Sequence, residues 1–147
     1  MRGIAIAIVV AGCCAVLAAQ AGEPAGFGQL AEAYRTAHES GNVERLSALV
    51  CWDRVDALTR TSVNQVLRSR LDRPVAAVEF EPITADTVLE YEFGGVVYRP
   101  NLAPVGFLVV RFAADESTGD VATQLRFLIG RKDGVLLIAT GAPEVRG

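Results

Sequence analysis

The sequence predicts an α+β domain in which three amino-terminal helices pack on one face of an antiparallel sheet of five to six strands, preceded by an export signal. Between Phe27 and Leu71, apolar residues recur at the spacing of amphipathic helices. From Val75 onward the apolar period shortens to about two residues, as in half-buried strands. Pro74 separates the two halves, because proline cannot continue a helix and disfavours helical backbone in the preceding residue.

The first residues have the layout of a secretory signal. Arg2 is followed by an uncharged apolar run that reaches the small-x-small triplet Ala19-Gln20-Ala21, where a signal peptidase would cleave. A transmembrane anchor is one alternative, because roughly 20 apolar residues span a bilayer. A lipoprotein is another, since Val10-Ala11-Gly12-Cys13 resembles a lipobox in which Cys13 would be lipidated. We favour cleavage, which predicts a periplasmic or extracellular protein that meets the membrane only through its signal or a lipid anchor.

Four segments are predicted along the chain: a signal peptide at 1–21, a tether at 22–26, one α+β domain at 27–141 and a tail at 142–147. A chain of 147 residues leaves room for one core. Removal of the signal lowers the basic count from 14 to 13 against 17 acidic residues, so the mature net charge is −4. This balance argues against nucleic acid as a partner. Cys51 is then the single cysteine, and its thiol is predicted to be buried.

Three helices are predicted, each from an apolar stripe with candidate end residues. Gly41 is placed to end the first helix in the left-handed conformation, and Asn42 is placed to cap the second by accepting a backbone N–H. Thr59 or Thr61 is predicted to cap the third. The predicted helices cover Phe27 to Ser40, Val43 to Cys51 and the stripe from Val63 to Leu71.

The carboxyl-terminal half is predicted to be sheet, with aromatic and β-branched residues in runs bounded by turn residues. Gly94-Gly95 is a two-residue hairpin signal, and Lys132-Asp133-Gly134 is a second tight turn. Short connections of this kind favour antiparallel pairing of successive strands. The candidate strands are Val75 to Glu81, Thr87 to Phe93, Val96 to Arg99, Val105 to Ala113, Val121 to Ile129 and Val135 to Thr140.

Two of these strands carry apolar side chains at both odd and even positions, Val105 to Phe112 and Leu125 to Ile129. A sheet that faces water on one side alternates more cleanly. The pattern therefore predicts that the second face is covered, either because the sheet curls around an interior cavity or because a second subunit packs against it. A cavity favours a small apolar ligand, and a covering subunit favours a homodimer.

One segment of the helical half resembles a known superfamily. It runs from Ser40-Gly41-Asn42 through Leu46 and Leu49 to Trp52-Asp53-Arg54-Val55. This segment is similar to the second helix of the nuclear-transport-factor-2-like superfamily, which includes ketosteroid-isomerase-like and polyketide-cyclase-like members. The resemblance implies a cone-shaped α+β fold with a curved sheet, a mouth for small apolar ligands and frequent homodimers. It assigns no activity, because the members differ in function and many lack catalysis.

For isomerase-like members, the resemblance implies a pocket carboxylate with a hydrogen-bonding tyrosine or acid. Asp53, Tyr34 and His38 are the catalytic candidates, although no isomerase motif surrounds them. His38 lies one helical turn after Tyr34, and histidine ordinarily titrates near neutral pH, which suits acid or base catalysis. A histidine at the favourable end of the helix dipole is the structural alternative. A nucleophile and base pair of Cys51 and His38 lacks any hydrolase motif.

Two further stretches supply ligand-binding candidates. Trp52 and Asp53 lie where the helices meet the sheet, and an aromatic wall beside a carboxylate suits an apolar ligand with one polar group. Arg99 and Asn101 lie in a proline-flanked corner, where Arg99 would contact an anionic group and Asn101 would supply an amide contact. The structural alternatives are a core tryptophan with Asp53 as a cap, and a corner that only turns the chain.

No metal or cofactor site is predicted. One histidine and one mature cysteine do not make a zinc ligand set, and the acidic loop Asp115 to Asp120 lacks calcium-loop spacing. The glycine pairs do not match phosphate-binding loops. The predicted function is therefore an exported binding or accessory domain without catalysis. A small lyase, isomerase or hydrolase with a pocket carboxylate is one alternative, and an envelope lipoprotein that acts on a protein partner is the other.

Overall fold

The computed structural model describes residues 22–115, 117–119 and 121–144, which form three helices followed by seven strands. The predicted signal peptide and the lipidation candidate Cys13 lie outside the described residues. Within the described ranges, no helix has the length and apolar character needed to cross a membrane. The elements are α1 (Phe27–Glu39), α2 (Val43–Ser47), α3 (Ala57–Arg68), β1 (Val75–Glu81), β2 (Tyr91–Phe93), β3 (Val96–Pro100), β4 (Pro104–Phe112), β5 (Thr123–Lys132), β6 (Val135–Ile138) and β7 (Gly141–Pro143).

The strands form two antiparallel sheets, a four-stranded sheet in the order β1-β4-β5-β6 and a three-stranded sheet in the order β2-β3-β7. The prediction of three helices on a curled antiparallel sheet is confirmed. The described residues form seven strands, whereas five to six were predicted. The additional strand is β7, which pairs with β3 and places Pro143 opposite Tyr98. β2 is shorter than predicted, because Thr87 closes a turn by donating its N–H to the Thr84 carbonyl at 3.1 Å.

Two of the helices, α2 and α3, begin at residues whose side chains accept free backbone N–H groups. Asn42 caps α2 as predicted. The predicted cap of α3 is wrong, since Asp56 takes that position with its Oδ1 2.7 Å from the backbone nitrogen of Thr59. The backbone of Asp56 is extended, which aims its carboxylate at the first turn of the helix. Thr61 lies within the helix, where its hydroxyl donates to the carbonyl one turn earlier.

The core lies between α1 and the inner face of the four-stranded sheet. Phe27 meets the ring of Phe80 edge-on with centroids 5.5 Å apart, and Tyr34 meets Phe127 at 5.7 Å. Alternate residues of β4 point to the same side, which is the two-residue period expected of a strand. Cys51 is buried as predicted, and it forms no disulfide within the described residues. The fully buried strand residues include Leu108, Val110, Phe112, Ile129 and Ile138.

The outer face of the four-stranded sheet explains the apolar residues on both sides of β4. Val109 points outward, yet it is 2% exposed. Its neighbours on β1 and β5 are Glu79 and Arg126. Ion pairs join Arg111 to Glu79 at 2.8 Å and Arg126 to Glu81 at 2.6 Å across this face. The long side chains of adjacent strands therefore cover Val109 within one chain, and a homodimer through this face stays a prediction.

A buried asparagine joins the two sheets to the helical half, an arrangement called here the Asn101 junction. Asn101 is 7% exposed. Its Nδ2 donates to the carbonyls of Cys51 at 2.8 Å and Asp53 at 3.0 Å, and its Oδ1 accepts the Thr140 N–H at 2.9 Å. Its own N–H donates to the Thr140 carbonyl at 2.9 Å. One amide side chain thus ties the α2–α3 connection to the segment that leaves β6 for β7.

Replacement of Asn101 by alanine is expected to lower the free energy of unfolding by about 2 to 4 kcal/mol, because two carbonyls and one N–H lose a buried partner. Asn64→Ala is the matched control on α3, where the asparagine is partly exposed, and the expected change is within about 0.5 kcal/mol. Urea unfolding followed by circular dichroism measures both variants. Equal small changes would contradict the structural role of the Asn101 junction.

Candidate functional site

A pocket of about 470 Å³ lies between α3, the β2–β3 hairpin and the chain segment from Ile138 to Gly141. Phe127, on the inner face of β5, also lines it. The volume falls within the range of small-ligand sites, about 300 to 1,000 Å³. The α3 side chains that line the pocket are Leu58, Thr59, Ser62, Val63 and Val66.

The residue spacing of α3 explains why one helix face lines this pocket. Leu58, Ser62 and Val66 are four residues apart and therefore lie on one side of the helix. Leu67 belongs to the core and is 1% exposed, whereas Leu58 and Val66 are 54% and 40% exposed. α3 thus divides its apolar residues between the core and the pocket.

The β2–β3 hairpin contributes three aromatic rings. Tyr91 and Phe93 are two residues apart on β2 and share a face, and Tyr98 lies opposite Tyr91 on β3. The two tyrosine rings stack with their centroids 5.0 Å apart and their planes 5° apart. Gly94 and Gly95 form the predicted tight turn with φ of 60° and 79°. Tyr91 and Phe93 remain 51% and 61% exposed, so the aromatic wall is open to a ligand.

Gly141 makes room for Tyr91. A Cβ atom at this position would lie 2.5 Å from the Tyr91 hydroxyl oxygen and 3.1 Å from two ring carbons. The missing side chain therefore allows the Tyr91 ring to lie across the start of β7 while it stacks on Tyr98.

The polar end of the pocket is built around Asp56. Its Oδ2 accepts the Tyr98 hydroxyl at 2.8 Å, and its Oδ1 accepts the Thr59 N–H at 2.7 Å. Hydrogen bonds from the Thr59 backbone, the Thr59 hydroxyl and Tyr98, in that order, hold the pKa of Asp56 below its ordinary value. The hydrogen bond to Asp56 raises the pKa of Tyr98. At neutral pH an ionised carboxylate therefore lies one hydrogen bond behind a neutral phenol.

Tyr34 and His38 lie together, but in the core rather than at the pocket. Their rings stack with centroids 6.1 Å apart, and the side chains are 0% and 2% exposed. His38 Nε2 donates to the Arg73 carbonyl at 2.7 Å. Within the described residues, the Tyr34 hydroxyl and His38 Nδ1 have no hydrogen-bond partner. Burial raises the pKa of Tyr34, so its phenol stays neutral.

Asp53 and Trp52 also lie away from the pocket lining. Asp53 is exposed and pairs with Lys132 at 2.6 Å, and this hydrogen bond lowers the pKa of the Asp53 carboxyl. The Trp52 indole N–H donates to the Ser47 carbonyl at 2.9 Å, and the Arg60 guanidinium lies 4.5 Å from its ring centroid. Both side chains are therefore engaged by the protein itself, and the structure does not bring Asp53 to Tyr34 or His38.

Arg99 and Asn101 line a separate, open hollow of about 450 Å³. Arg99 points to the opposite side of β3 from Tyr98. It pairs with Glu90 at 2.7 Å and with Glu144 at 3.2 Å, so two carboxylates surround its charge. Both amide donors of Asn101 are used within the Asn101 junction.

None of the catalytic or ligand-binding candidates from the sequence lines the pocket. The polar residues at the site that were not predicted to be there are Asp56, Thr59, Tyr91 and Tyr98. One signal was present, because an aspartate before an apolar helix is a common cap. The hydrogen bond between Asp56 and Tyr98 joins residues 42 positions apart. Local spacing carries no information about such a contact.

Replacement of Tyr34 by phenylalanine is expected to leave the free energy of unfolding unchanged or to raise it by up to about 1 kcal/mol, because a buried hydroxyl without a partner is removed. Tyr98→Phe removes the same atom from a hydroxyl that is bonded to Asp56, and we expect a loss of about 1 to 2 kcal/mol. Urea unfolding compares the two. A larger loss for Tyr34→Phe than for Tyr98→Phe would contradict the assignment of Tyr34 as an unpartnered core residue.

Comparison with known proteins gives one weak structural likeness. No protein-family model matches the chain, and no curated protein matches it. Among solved structures, the chain is similar to a Campylobacter jejuni protein with the provisional name NTF2-like transpeptidase, at 10% identity and a TM-score of 0.35. The match covers 71% of this chain and 89% of that one. The name of that protein includes the superfamily that the segment from Ser40 to Val55 resembles, and the likeness assigns this chain no function.

Proposed function

We propose that the protein is an exported, non-enzymatic binding domain that holds a small, largely apolar ligand in the pocket between α3 and the β2–β3 hairpin. One observation carries the proposal: a pocket of about 470 Å³ has mainly apolar walls and a hydrogen-bonded polar end. Small-molecule sites generally combine these two features, since the apolar wall supplies affinity and the polar groups orient the ligand.

The distribution of exposed apolar residues supports this proposal. Leu58, Val66, Tyr91 and Phe93 are all at least 40% exposed, and all of them line the pocket. Single exposed apolar residues are common on soluble proteins, but a contiguous group marks a binding surface. A bound ligand would remove this apolar surface from water, which is the main favourable term in binding.

An enzyme with a pocket carboxylate is the second candidate, and Asp56 rather than Asp53 would be its acid or base. A general base is most effective when its pKa lies near the working pH. The pKa of Asp56 is instead lowered by the Thr59 and Tyr98 hydrogen bonds. Both of its oxygens accept hydrogen bonds from the protein. These features favour a carboxylate that fixes the pocket over one that transfers protons.

The proposal does not require a homodimer. The outer sheet face carries the ion pairs of Arg111 and Arg126, so its apolar residues are interspersed with charge. Interfaces that hold subunits together permanently are more apolar than this at their centres.

A pair of adjacent substitutions tests the pocket. Ser62 lines the pocket and Thr61 does not, yet both are exposed on α3 and both hydroxyls donate to the carbonyl one turn earlier. Ser62→Trp is expected to weaken binding of the neutral fluorescent dye Nile red by about tenfold or more, because the indole fills the pocket. Thr61→Trp is expected to leave binding unchanged. Fluorescence titration measures both dissociation constants, and circular dichroism checks that both variants fold.

Two results of this titration would count against the proposal. Wild-type protein that leaves Nile red unbound would remove the binding function. Equal affinities for the Ser62→Trp and Thr61→Trp variants would show that the dye binds elsewhere.

Export is the part of the proposal that depends on residues 1–21. The uncharged run and the Ala19-Gln20-Ala21 triplet support cleavage after Ala21. Expression in a bacterial host, followed by intact-mass analysis of the periplasmic, membrane and cytoplasmic fractions, is expected to give a periplasmic chain that begins at Gly22. A chain that begins at a lipidated Cys13 would instead support the lipoprotein alternative, and a full-length cytoplasmic chain would contradict export.

A further inference from the structure

The charge around the pocket is unbalanced, and Asp56 is the cause. Among the described residues, no lysine or arginine forms an ion pair with the Asp56 carboxylate, which accepts only neutral donors from Tyr98 and Thr59. Tyr98 and Thr59, which supply these donors, both line the pocket. The negative charge of Asp56 has no ion-pair partner among the described residues, and it lies behind the pocket wall, hydrogen-bonded to the Tyr98 hydroxyl.

The basic residues near the pocket are directed elsewhere. Arg126 contributes to the lining, but its guanidinium pairs with Glu81 at 2.6 Å and lies 4.2 Å from the ring centroid of Phe107 on the outer face. The Arg60 guanidinium lies over Trp52. Neither of these two guanidinium groups is therefore placed to neutralise Asp56 or to bind an anionic ligand.

Aromatic rings extend the negative potential to the pocket surface. The face of an aromatic ring attracts cations, and the attraction grows when the site is removed from water. Burial raises the pKa of Tyr91, and the charge of Asp56 adds to this effect; the same charge acts on Tyr98. Phe93, on the same face of β2 as Tyr91, gives a third ring. Because Tyr91 and Phe93 are more than half exposed, a ligand has access to both.

We propose that the ligand of this pocket is an organic cation with an apolar body, such as an aryl or alkyl ammonium, held by the rings of Tyr91 and Phe93 with the Asp56 carboxylate behind them. This inference rests on the proposed binding function and specifies its ligand class. The positive end of the α3 dipole offsets part of the Asp56 charge. The expected preference over a neutral ligand of the same shape is therefore about tenfold.

An isosteric pair of ligands tests the inference. Benzyltrimethylammonium and neopentylbenzene have nearly the same shape and differ in charge, and benzylsulfonate adds an anion of similar size. Competition with Nile red on the wild-type protein is expected to rank the cation first, the neutral compound about tenfold weaker and the anion weakest. Equal displacement by the cation and the neutral compound would overturn the inference.

A matched pair of charge-removing variants tests whether the Asp56 charge causes the preference for a cation. Asp56→Asn removes the charge but keeps a good helix cap through its Oδ1, and its Nδ2 donates to the Tyr98 hydroxyl oxygen in place of the bond that the carboxylate accepted. The ratio of cation to neutral affinity is therefore expected to fall to about three or less. Asp53→Asn removes an exposed carboxylate outside the pocket, and the ratio is expected to stay near that of the wild type. An unchanged ratio in Asp56→Asn, or an equal fall in both variants, would overturn the inference.

The outcomes separate this inference from the proposed function. Nile red binding that is blocked by Ser62→Trp, together with equal affinity for the charged and neutral ligands, retains the pocket and removes only the cation preference. Absence of Nile red binding to the wild-type protein removes both.

Discussion

The Asn101 junction is the constraint on which the shape of the pocket depends. The chain leaves the four-stranded sheet at Ile138 and enters the three-stranded sheet at Gly141, and hydrogen bonds in both directions between Asn101 and Thr140 fix that crossing. The same crossing segment lines the pocket. A chain free to slide here would shift β7 along β3 and change the pairing of Pro143 with Tyr98. The amide that joins the two sheets therefore also sets one wall of the site.

Asp56 couples the stability of α3 to the chemistry of the pocket in a similar way. Its Oδ1 satisfies a free N–H at the start of the helix, and its Oδ2 holds the Tyr98 hydroxyl. Tyr98 in turn supports the stacked ring of Tyr91, which has room only because position 141 is glycine. The position of the exposed Tyr91 ring therefore depends on Tyr98, and the position of Tyr98 depends on the Asp56 cap of α3. A substitution of Asp56 therefore leaves the structure unchanged only if the new side chain keeps the hydrogen bonds to both Thr59 and Tyr98.

The sequence predicted those features that depend on local spacing. The order of three helices and an antiparallel sheet, the cap at Asn42 and the turn at Gly94-Gly95 each follow from residues within a few positions of one another. The site was not predictable in this way, because Asp56 and Tyr98 meet across 42 positions. The cover of the outward Val109 was not predictable for a related reason. Ion-paired side chains from two adjacent strands cover it, and a pattern of apolar residues on one strand does not reveal its neighbours.

Two surfaces of the domain carry aromatic rings, and only one of them has a cation from the described part of the protein over its ring. On the outer sheet face, the Arg126 guanidinium lies 4.2 Å from the Phe107 ring centroid and is fixed by Glu81. At the pocket, none of the described basic side chains lies over Tyr91 or Phe93, and both rings stay more than half exposed. Exposed aromatic rings favour association and are a liability unless something covers them. An organic cation in the pocket would supply to these rings the contact that Arg126 supplies to Phe107, with Asp56 in the position that Glu81 holds there.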